Sequence, residues 1–214
     1  MILNHYKYIF FDFDGVIKES LTVKAEAFKE LFREHGESFC QNIWEHHMQN
    51  GGLSRIDKIK LYMDWTGENF SNSKLEELVN EFGDLVKDKV IKSSWVPGVL
   101  EFLKEKKDDQ IFFIVSASPQ QELQEICSML SISKFFTKIY GSPVSKTKAI
   151  SDSINHHNLS LNECLMIGDY NNDRIAASNN RISFVLRSHE FNTNVKVPSD
   201  IRVIENFLRW EISN

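Results

Sequence analysis

Six short runs of apolar and β-branched residues recur along the chain and predict β-strands. The first, Tyr-Ile-Phe-Phe-Asp-Phe, is apolar at nearly every position, which is typical of a strand buried on both faces. Segments with helical spacing of apolar residues separate most of the runs. The runs occupy residues 8–13, 111–115, 138–140, 164–167, 183–186 and 201–204. Strands that alternate with helices predict βαβ units, and hence an α/β fold with a Rossmann-like parallel sheet.

The alternation is interrupted between about Glu19 and Lys92, where only helix-like patterns occur. We therefore expect an all-helical cap domain inserted after the first strand. The expected division is a catalytic core of residues 1–18 and 94–214 and a helical cap of residues 19–93, with a hinge at the two short connections. A length of 214 residues favours one core plus an insertion over two independent domains.

Composition and charge exclude several classes of protein. Hydrophobic residues make up 42% of the chain and charged residues 26%, which excludes disorder as the dominant state. A net charge of −5 does not favour binding to nucleic acid or to an anionic membrane, both of which are negatively charged. The apolar N-terminal run meets Asp12 too early for a signal sequence, and the well-separated Cys40, Cys127 and Cys164 form no disulfide or zinc pattern. We expect a cytoplasmic protein, a monomer or weak homodimer, with no nucleic-acid or membrane partner.

Polar residues able to carry chemistry follow directly after the predicted strands or begin the helices after them. They are Asp12, Asp14, Ser116, Lys146, Asp169 and Asp173. Because ligands of an open parallel sheet bind outside the carboxyl ends of its strands, we expect these side chains at one edge of the sheet. Each residue alone is a common strand end or helix cap, but their joint occurrence in this order favours a functional site.

Four carboxylates at one edge would repel one another unless a divalent cation lay among them. Mg²⁺ is the natural candidate because it prefers oxygen ligands from carboxylates, water and phosphate. No His or Cys accompanies the carboxylates in the sequence, which argues against zinc. The Asp12-x-Asp14 spacing fits phosphoryl transfer through an aspartyl phosphate, since one carboxylate can attack phosphorus while the second handles a proton.

The segments Asp12-Phe13-Asp14-Gly15-Val16, Ser116, Lys146 and Gly168-Asp169-x-x-x-Asp173 resemble, in order, the four motifs of the haloacid dehalogenase superfamily. The helical insertion resembles the cap of its phosphoglycolate-phosphatase-like and beta-phosphoglucomutase-like members. The resemblance covers essentially the whole chain. It implies a haloacid dehalogenase-like fold and a Mg²⁺-dependent phosphatase that hydrolyses a small phosphorylated metabolite, such as a sugar phosphate, through an aspartyl phosphate.

The resemblance also implies a role for each matching residue. Asp12 would be the nucleophile, and Asp14 the general acid and then the general base. Ser116 would hydrogen-bond the transferring phosphoryl group and Lys146 would neutralise its charge, with Lys148 a weaker competitor for that role.

The implied ligands of the metal and of the substrate complete the candidate site. The implied Mg²⁺ ligands are Asp12, Asp14 through its backbone carbonyl, Asp169 and Asp173. The substrate-binding candidates are Gly15, Arg55, Ser116, Ala117 and Lys146.

Arg55 is a candidate because the segment Gly51–Lys58 resembles the Gly-x-Ser-Arg-x-Asp/Glu cap loop of the beta-phosphoglucomutase-like members. An arginine carried by a closing lid could bind the distal part of an anionic substrate. The alternative is an ordinary helix start, with Ser54 as the N-cap and Arg55 in solvent. Two histidine pairs, His46-His47 and His156-His157, lack a third ligand at metal-binding spacing, and we expect all four at surface or boundary positions.

Three other functions compete with a phosphatase. A phosphomutase of the beta-phosphoglucomutase type would share every motif and pass the phosphoryl group to a sugar hydroxyl instead of water. A dehalogenase is disfavoured because the dehalogenases of the superfamily lack the second aspartate, here Asp14. A non-catalytic metabolite-binding module is disfavoured because all the reacting groups are present. The departures at Ala117, Thr147 and Asn179-Asn180 from the usual motifs remove no reacting group.

Overall fold

A parallel sheet is the framework of the protein. The computed structural model describes residues 6–193, 195, 198–199 and 201–208. Its strands are β1 Tyr8–Phe11, β2 Ile111–Pro119, β3 Lys138–Ser142, β4 Cys164–Gly168, β5 Ser183–Arg187 and β6 Arg202–Ile204. Their order is β3-β2-β1-β4-β5-β6, and every neighbouring pair is parallel. The predicted α/β fold with a parallel sheet is confirmed.

The first strand is shorter than its apolar run predicts, because the chain leaves the sheet before Phe13. Asp12 still donates its N–H to the carbonyl of Ile167 at 2.9 Å, but the amides of Ile17 and Lys18 both donate to the Phe13 carbonyl. Gly15 lies in this turn with φ +74°, a conformation that favours glycine. The turn places the residues after β1 directly above the carboxyl edge of the sheet.

Five α-helices lie between β1 and β2, and the first four form the cap: α1 Leu21–Leu31, α2 Glu37–Gln49, α3 Arg55–Thr66 and α4 Asn72–Lys92. The remaining helices alternate with strands: α5 Val99–Lys104, α6 Gln120–Met129, α7 Lys146–His157 and α8 Asn171–Asn179. No described helix combines the length and the hydrophobicity that a membrane span needs. The expected domain bounds stay a prediction, and residues 1–5 and 209–214 of the expected core lie outside the described residues.

One hydrophobic cluster joins the core to the cap. Phe11 and Phe112 of the sheet belong to it together with Phe28 and Phe82 of the cap, whose rings lie 4.1 Å apart between centroids. Full burial of each such side chain is worth about 1.5–3 kcal/mol. The cap therefore packs on the core through a continuous apolar contact, which fixes where its polar residues meet the edge of the sheet.

The two connections between cap and core lie side by side. Glu19 donates its N–H to the Ser94 carbonyl at 2.9 Å, and the buried Lys18 ammonium donates to the carbonyls of Ile91 and Ser93. The same ammonium lies 4.2 Å from the centroid of the Trp95 ring. These contacts tie the entry and exit of the cap to each other.

Candidate active site

Three carboxylates meet where β1 and β4 end. Asp12 follows β1, Asp169 follows β4, and Asp173 lies in the first turn of α8. One carboxylate oxygen from each lies within 4.8 Å of the others, and all three residues are buried. Asp173 is held in place because it accepts the N–H of Tyr170 at 3.1 Å. The structure thus brings together three of the four carboxylates that the sequence predicts at this edge.

Lys146 is the cation of this cluster. Ser145 caps α7 by accepting the N–H of Lys148, so the helix begins at Lys146 and directs it to the carboxylates. Its ammonium lies 2.7 Å from Asp12 Oδ2 and 2.6 Å from Asp173 Oδ1. Lys148 instead lies in solvent and pairs with Asp152 at 3.0 Å. Of the two lysines, Lys146 is the one that reaches Asp12.

The cluster carries more negative charge than Lys146 neutralises. Burial raises the pKa of Asp12 to about 7, with the charge of Asp173 adding to it and Lys146 opposing it. Burial, followed by the charges of Asp12 and Asp173, raises the pKa of Asp169 well above its usual range. The pKa of Lys146 is raised although burial opposes this, because two carboxylates surround it. Another cation would relieve the repulsion among the carboxylates.

Asp169 provides the observation that tests a metal site. Its Oδ1 atom is buried and accepts no hydrogen bond from any residue that the structure describes. Buried polar atoms are normally paired, so this oxygen is available to a cation. Three closely spaced oxygen donors with excess negative charge fit a hard divalent ion such as Mg²⁺.

A histidine does accompany the carboxylates, which corrects the inference from sequence that none does. His189, in the loop after β5, places Nε2 3.0 Å from Asp169 Oδ2. Its Nδ1 accepts the N–H of Phe191 at 3.2 Å, so the proton lies on Nε2 and the ring donates to Asp169. Asn192 donates to the Asp169 carbonyl at 2.8 Å. Together they fix the orientation of Asp169.

Asp14 lies beside this cluster and has different partners. Its carboxylate accepts from Lys24 at 2.5 Å, from Ser20 at 2.5 Å and from Ser118 at 3.1 Å. Burial alone would raise the pKa of Asp14, but Lys24 and the two hydroxyls outweigh it and hold the pKa below its usual value. The Asp14 carboxylate thus lies at the expected edge of the sheet but outside the group formed by Asp12, Asp169 and Asp173. Lys24 and Ser118 are site residues that no sequence motif marked.

The remaining candidates from the core also lie at this edge. A Cβ on Gly15 would collide with the carboxylate of Asp169, so only glycine fits there. Ser116 is buried, and its Oγ accepts the N–H of Ser118 at 3.1 Å. Ala117 lines a pocket together with Asp14.

The cap reaches the site through its Gly51-Gly52 loop. Asn172 donates to the Gly52 carbonyl at 2.9 Å, and Tyr170 donates to the Met48 carbonyl at 2.5 Å. A Cβ on Gly51 would overlap the ring of Tyr170, and one on Gly52 would overlap the side chain of Asn172. These glycines let the loop approach the residues that follow Asp169.

Arg55 matches neither expectation for it completely. Ser54 does cap α3, since its Oγ accepts the N–H of Asp57 at 3.2 Å. Arg55 is not in solvent, however: its side chain is 8% exposed and Nη2 donates to both carboxylate oxygens of Glu122 on α6, at 2.6 and 2.7 Å. The side chain also lies over the Phe82 ring at 4.6 Å. In this conformation Arg55 is an ion-pair link between cap and core at the rim of the pocket.

A family model described as "Haloacid dehalogenase-like hydrolase" matches residues 9–186, which include nearly all of β1 and of β5. The chain belongs to the haloacid dehalogenase-like hydrolases. The matched range includes Asp12, Lys146, Asp169 and Asp173, whereas His189 lies just beyond it.

Individual relatives of this hydrolase are distant in sequence. A "Phosphorylated carbohydrates phosphatase" from Thermotoga maritima is 24% identical over 147 residues, which are 65% of this chain and 63% of that protein. A structure described as a predicted phosphoglycolate phosphatase from Haemophilus somnus superposes with a TM-score of 0.80 at 20% identity, covering 96% of each chain. CbbY from Rhodobacter sphaeroides in complex with phosphate superposes with a TM-score of 0.78 at 12% identity, again covering 96% of each. At these identities the structures show the shared fold.

The pocket of this hydrolase contains two cap residues, His47 and Lys58, that no sequence motif assigned to the site. His47 is 3% exposed, so the expectation of a surface or boundary position is wrong for it. It packs beside Lys58, whose side chain is 1% exposed. The partly buried His46 and the exposed His156 and His157 agree with the expectation. His47 and Lys58 lie on successive cap helices, and spacing along the chain does not indicate that they meet.

Proposed function

We propose that this hydrolase is a Mg²⁺-dependent phosphatase that removes the phosphoryl group of a small metabolite through an aspartyl phosphate on Asp12. The observation that carries the proposal is the placement of Asp12, buried at the end of β1, 2.7 Å from the Lys146 ammonium and beside Asp169 and Asp173. A nucleophilic carboxylate, a fixed cation and a candidate metal site thus share one edge of the sheet. This combination is what phosphoryl transfer by positioning and charge stabilisation requires.

Asp12 is held for in-line attack by two contacts on its carboxylate. Its Oδ1 accepts the N–H of Phe13 at 2.7 Å and its Oδ2 contacts Lys146. Asp12, Asp169 and Asp173, with the Asp14 backbone carbonyl, would hold the Mg²⁺. When bound, the ion would supply the positive charge that lets an anionic phosphoryl group approach a carboxylate.

Asp14 would move the protons in both half-reactions. In the first, Asp12 attacks phosphorus, the bond to the leaving oxygen breaks, and Asp14 gives that oxygen its proton. In the second, Asp14 takes a proton from water as the water oxygen attacks phosphorus and the bond to Asp12 breaks. Lys24 favours the ionised form of Asp14, which is the form that the second step uses.

Ser116, Lys146, Gly15 and Ala117 would surround the transferred group. Lys146 would neutralise the charge on the phosphoryl oxygens and Ser116 would donate a hydrogen bond to one of them. Gly15 and Ala117 carry little or no side chain, so the substrate can approach the backbone there. Their positions beside Asp169 and in the pocket support this assignment.

Residues 19–93 would act as a lid over the core of residues 1–18 and 94–214, excluding bulk water from the aspartyl phosphate. The contacts of the Gly51-Gly52 loop with Tyr170 and Asn172 support this division. The name of the Thermotoga maritima relative supports a phosphorylated carbohydrate or a similar small molecule as the substrate.

Replacement of the nucleophile tests the proposal. Asp12→Asn should lower kcat for p-nitrophenyl phosphate with Mg²⁺ by at least about 1000-fold, because the amide cannot form the intermediate. Asp152→Asn, on the partly exposed face of α7, is the matched control and should leave kcat unchanged. Circular dichroism should show both variants folded. Turnover by folded Asp12→Asn at the wild-type rate would refute the mechanism.

A further inference from the structure

The pocket between cap and core carries three cationic side chains. It is lined on the core side by Asp14 and Ser118, and on the cap side by Lys24, His47, Arg55 and Lys58. The pocket adjoins Asp14, so a substrate whose phosphate lies at Asp12 would extend into it. The charges of these cap residues should therefore reflect the chemistry of the rest of the substrate.

Two of the three cations are already neutralised. Lys24 pairs with Asp14 at 2.5 Å, and Arg55 pairs with both oxygens of Glu122. Lys58 differs, because its ammonium forms no ion pair with any carboxylate in the described part of the chain. Its contact is His47 Nδ1 at 3.0 Å. Burial, with the neighbouring charge of Lys24, lowers the pKa of Lys58 to about 7, although the more distant charges of Asp14 and Asp169 oppose this, so the ammonium is costly in this position.

His47 adds a second hydrogen-bond donor beside Lys58. Burial, with the charge of Lys58, lowers the pKa of His47 well below its usual value, so the ring is neutral. Since Lys58 donates to Nδ1, the ring proton lies on Nε2. That Nε2 is buried and forms no hydrogen bond of ordinary length and angle with the described residues, although the Leu21 carbonyl lies close enough to raise the pKa of the ring. Arg55 Nε likewise forms no such bond with the described residues. Unpaired buried donors around one pocket indicate that an acceptor belongs there.

We propose that Lys58 and His47 bind a second anionic group of the substrate, a carboxylate or a further phosphate. The substrate is then a compact molecule with a phosphate ester at one end and an anion at the other. Lys58 supplies the charge, His47 Nε2–H supplies a directed hydrogen bond, and the pair distinguishes such substrates from neutral sugar phosphates. This inference rests on the proposed function, because it names the substrate class of the same site.

Matched substrate pairs test the inference. 3-Phosphoglycerate differs from glycerol 3-phosphate by a carboxylate, and fructose 1,6-bisphosphate differs from fructose 6-phosphate by a phosphate. The wild type should prefer the anion-bearing member of one pair by about 10- to 100-fold in kcat/KM, as a charged hydrogen bond allows. Which pair shows the preference identifies the anion. Lys58→Met should remove most of this preference, whereas Lys60→Met, exposed on the same helix, should retain it.

The stability of Lys58→Met separates binding from a structural role. Replacing an uncompensated buried ammonium by an apolar side chain of similar length should leave the unfolding temperature equal or raise it. Equal losses of kcat/KM for both members of a pair, or a clear drop in unfolding temperature, would overturn the inference.

The proposed function can fail separately from this inference. If the wild type hydrolyses p-nitrophenyl phosphate but prefers neither anion-bearing substrate, the inference is wrong and the proposed function stands. If it hydrolyses no phosphate ester, the proposed function is wrong, and the thermal shift produced by each compound decides the inference. A larger shift with 3-phosphoglycerate or the bisphosphate that Lys58→Met abolishes would support it, and equal shifts would overturn it.

Discussion

The buried carboxylate cluster predicts that Mg²⁺ stabilises the protein more strongly as the pH rises. The pKa of Asp12 is raised from 3.8 to about 7 in the metal-free protein. The folded chain therefore binds more protons than the unfolded chain between these values, and this carboxyl group makes folding less favourable as the pH rises toward 7. Mg²⁺ requires the ionised carboxylate, so it competes with the proton.

The size of the effect follows from the same pKa. Each pH unit below it weakens Mg²⁺ binding about tenfold, which is about 1.4 kcal/mol. At pH 7 about half of this carboxyl group is still protonated, so binding strengthens about 50-fold between pH 5 and pH 7. At a Mg²⁺ concentration well above Kd at both values, the stabilisation should therefore grow by about 2.3 kcal/mol. A chain of this size gains about 2–4 °C in Tm per kcal/mol, so the Tm difference between Mg²⁺ and EDTA should widen by about 5–9 °C.

The difference between the Tm values in Mg²⁺ and in EDTA, taken at each pH, isolates the contribution of the metal-binding carboxylates. Burial, with the charge of Arg187, lowers the pKa of His189 to about 4, which stabilises the fold as the pH rises from about 4 to 6.5 and opposes the trend from Asp12. That contribution is present in both buffers and largely cancels in the difference between their Tm values.

Differential scanning calorimetry of the wild type and Asp169→Asn would measure these differences. Asp169→Asn should lose most of the Mg²⁺ shift and be more stable than the wild type in EDTA at pH 8, because it relieves the repulsion. The control Asp152→Asn should behave as the wild type does. A wild-type Mg²⁺ shift of the same size at pH 5 and pH 7 would refute the reasoning.

The other contacts of the site make further predictions. Lys146→Met leaves Asp12 and Asp173 without their cation. Urea denaturation of the metal-free variant should therefore give a free energy of unfolding about 3–5 kcal/mol below that of the wild type. An unchanged free energy of unfolding would show that the ion pairs contribute nothing. Arg55→Ala removes the ion pair with Glu122. In limited proteolysis, the cap of this variant should be cleaved faster than the cap of the wild type. Equal cleavage rates would contradict a link between cap and core. Gly52→Ala places a methyl group against Asn172 and should lower kcat/KM for p-nitrophenyl phosphate by about 10-fold through impaired closure, while full activity would show that the loop need not approach so closely.

Much of the fold could be predicted because the sheet is buried on both faces. Its strands are then continuous apolar runs, and the polar residues that end them stand out. The spacing of apolar residues also predicts a helix over Lys146–His157, and α7 has these bounds, since a Ser cap and a left-handed Asn158 delimit it. The first strand ends two residues early, yet Phe13 is still buried, in the hydrophobic cluster beyond the end of the strand. An apolar pattern does not separate burial within a strand from burial in the turn after it.

The cap side of the site could not be predicted in the same way. Lys58 and Lys24 lie on amphipathic helices, where a lysine ordinarily belongs to the solvated face. Their burial depends on how the cap docks on the core, which is a tertiary contact without a local pattern. His189 is a different case: it follows β5 at the same edge of the sheet, so the rule that located Asp12 and Asp169 extends to it.

The site has excess negative charge on its core side and positive charge on its cap side, a separation that the net charge of −5 does not show. In the core, three carboxylates face one ammonium, and the excess is negative until a divalent cation joins them. In the cap, Lys24 and Arg55 are paired, whereas the Lys58 ammonium has no carboxylate partner among the described residues. A phosphate drawn to the metal and a second anion drawn to Lys58 would each meet its own counter-charge. On the proposed function, the acidic protein would accept a doubly anionic substrate without a basic surface, because the two attractive charges would be buried where only a molecule between cap and core reaches them.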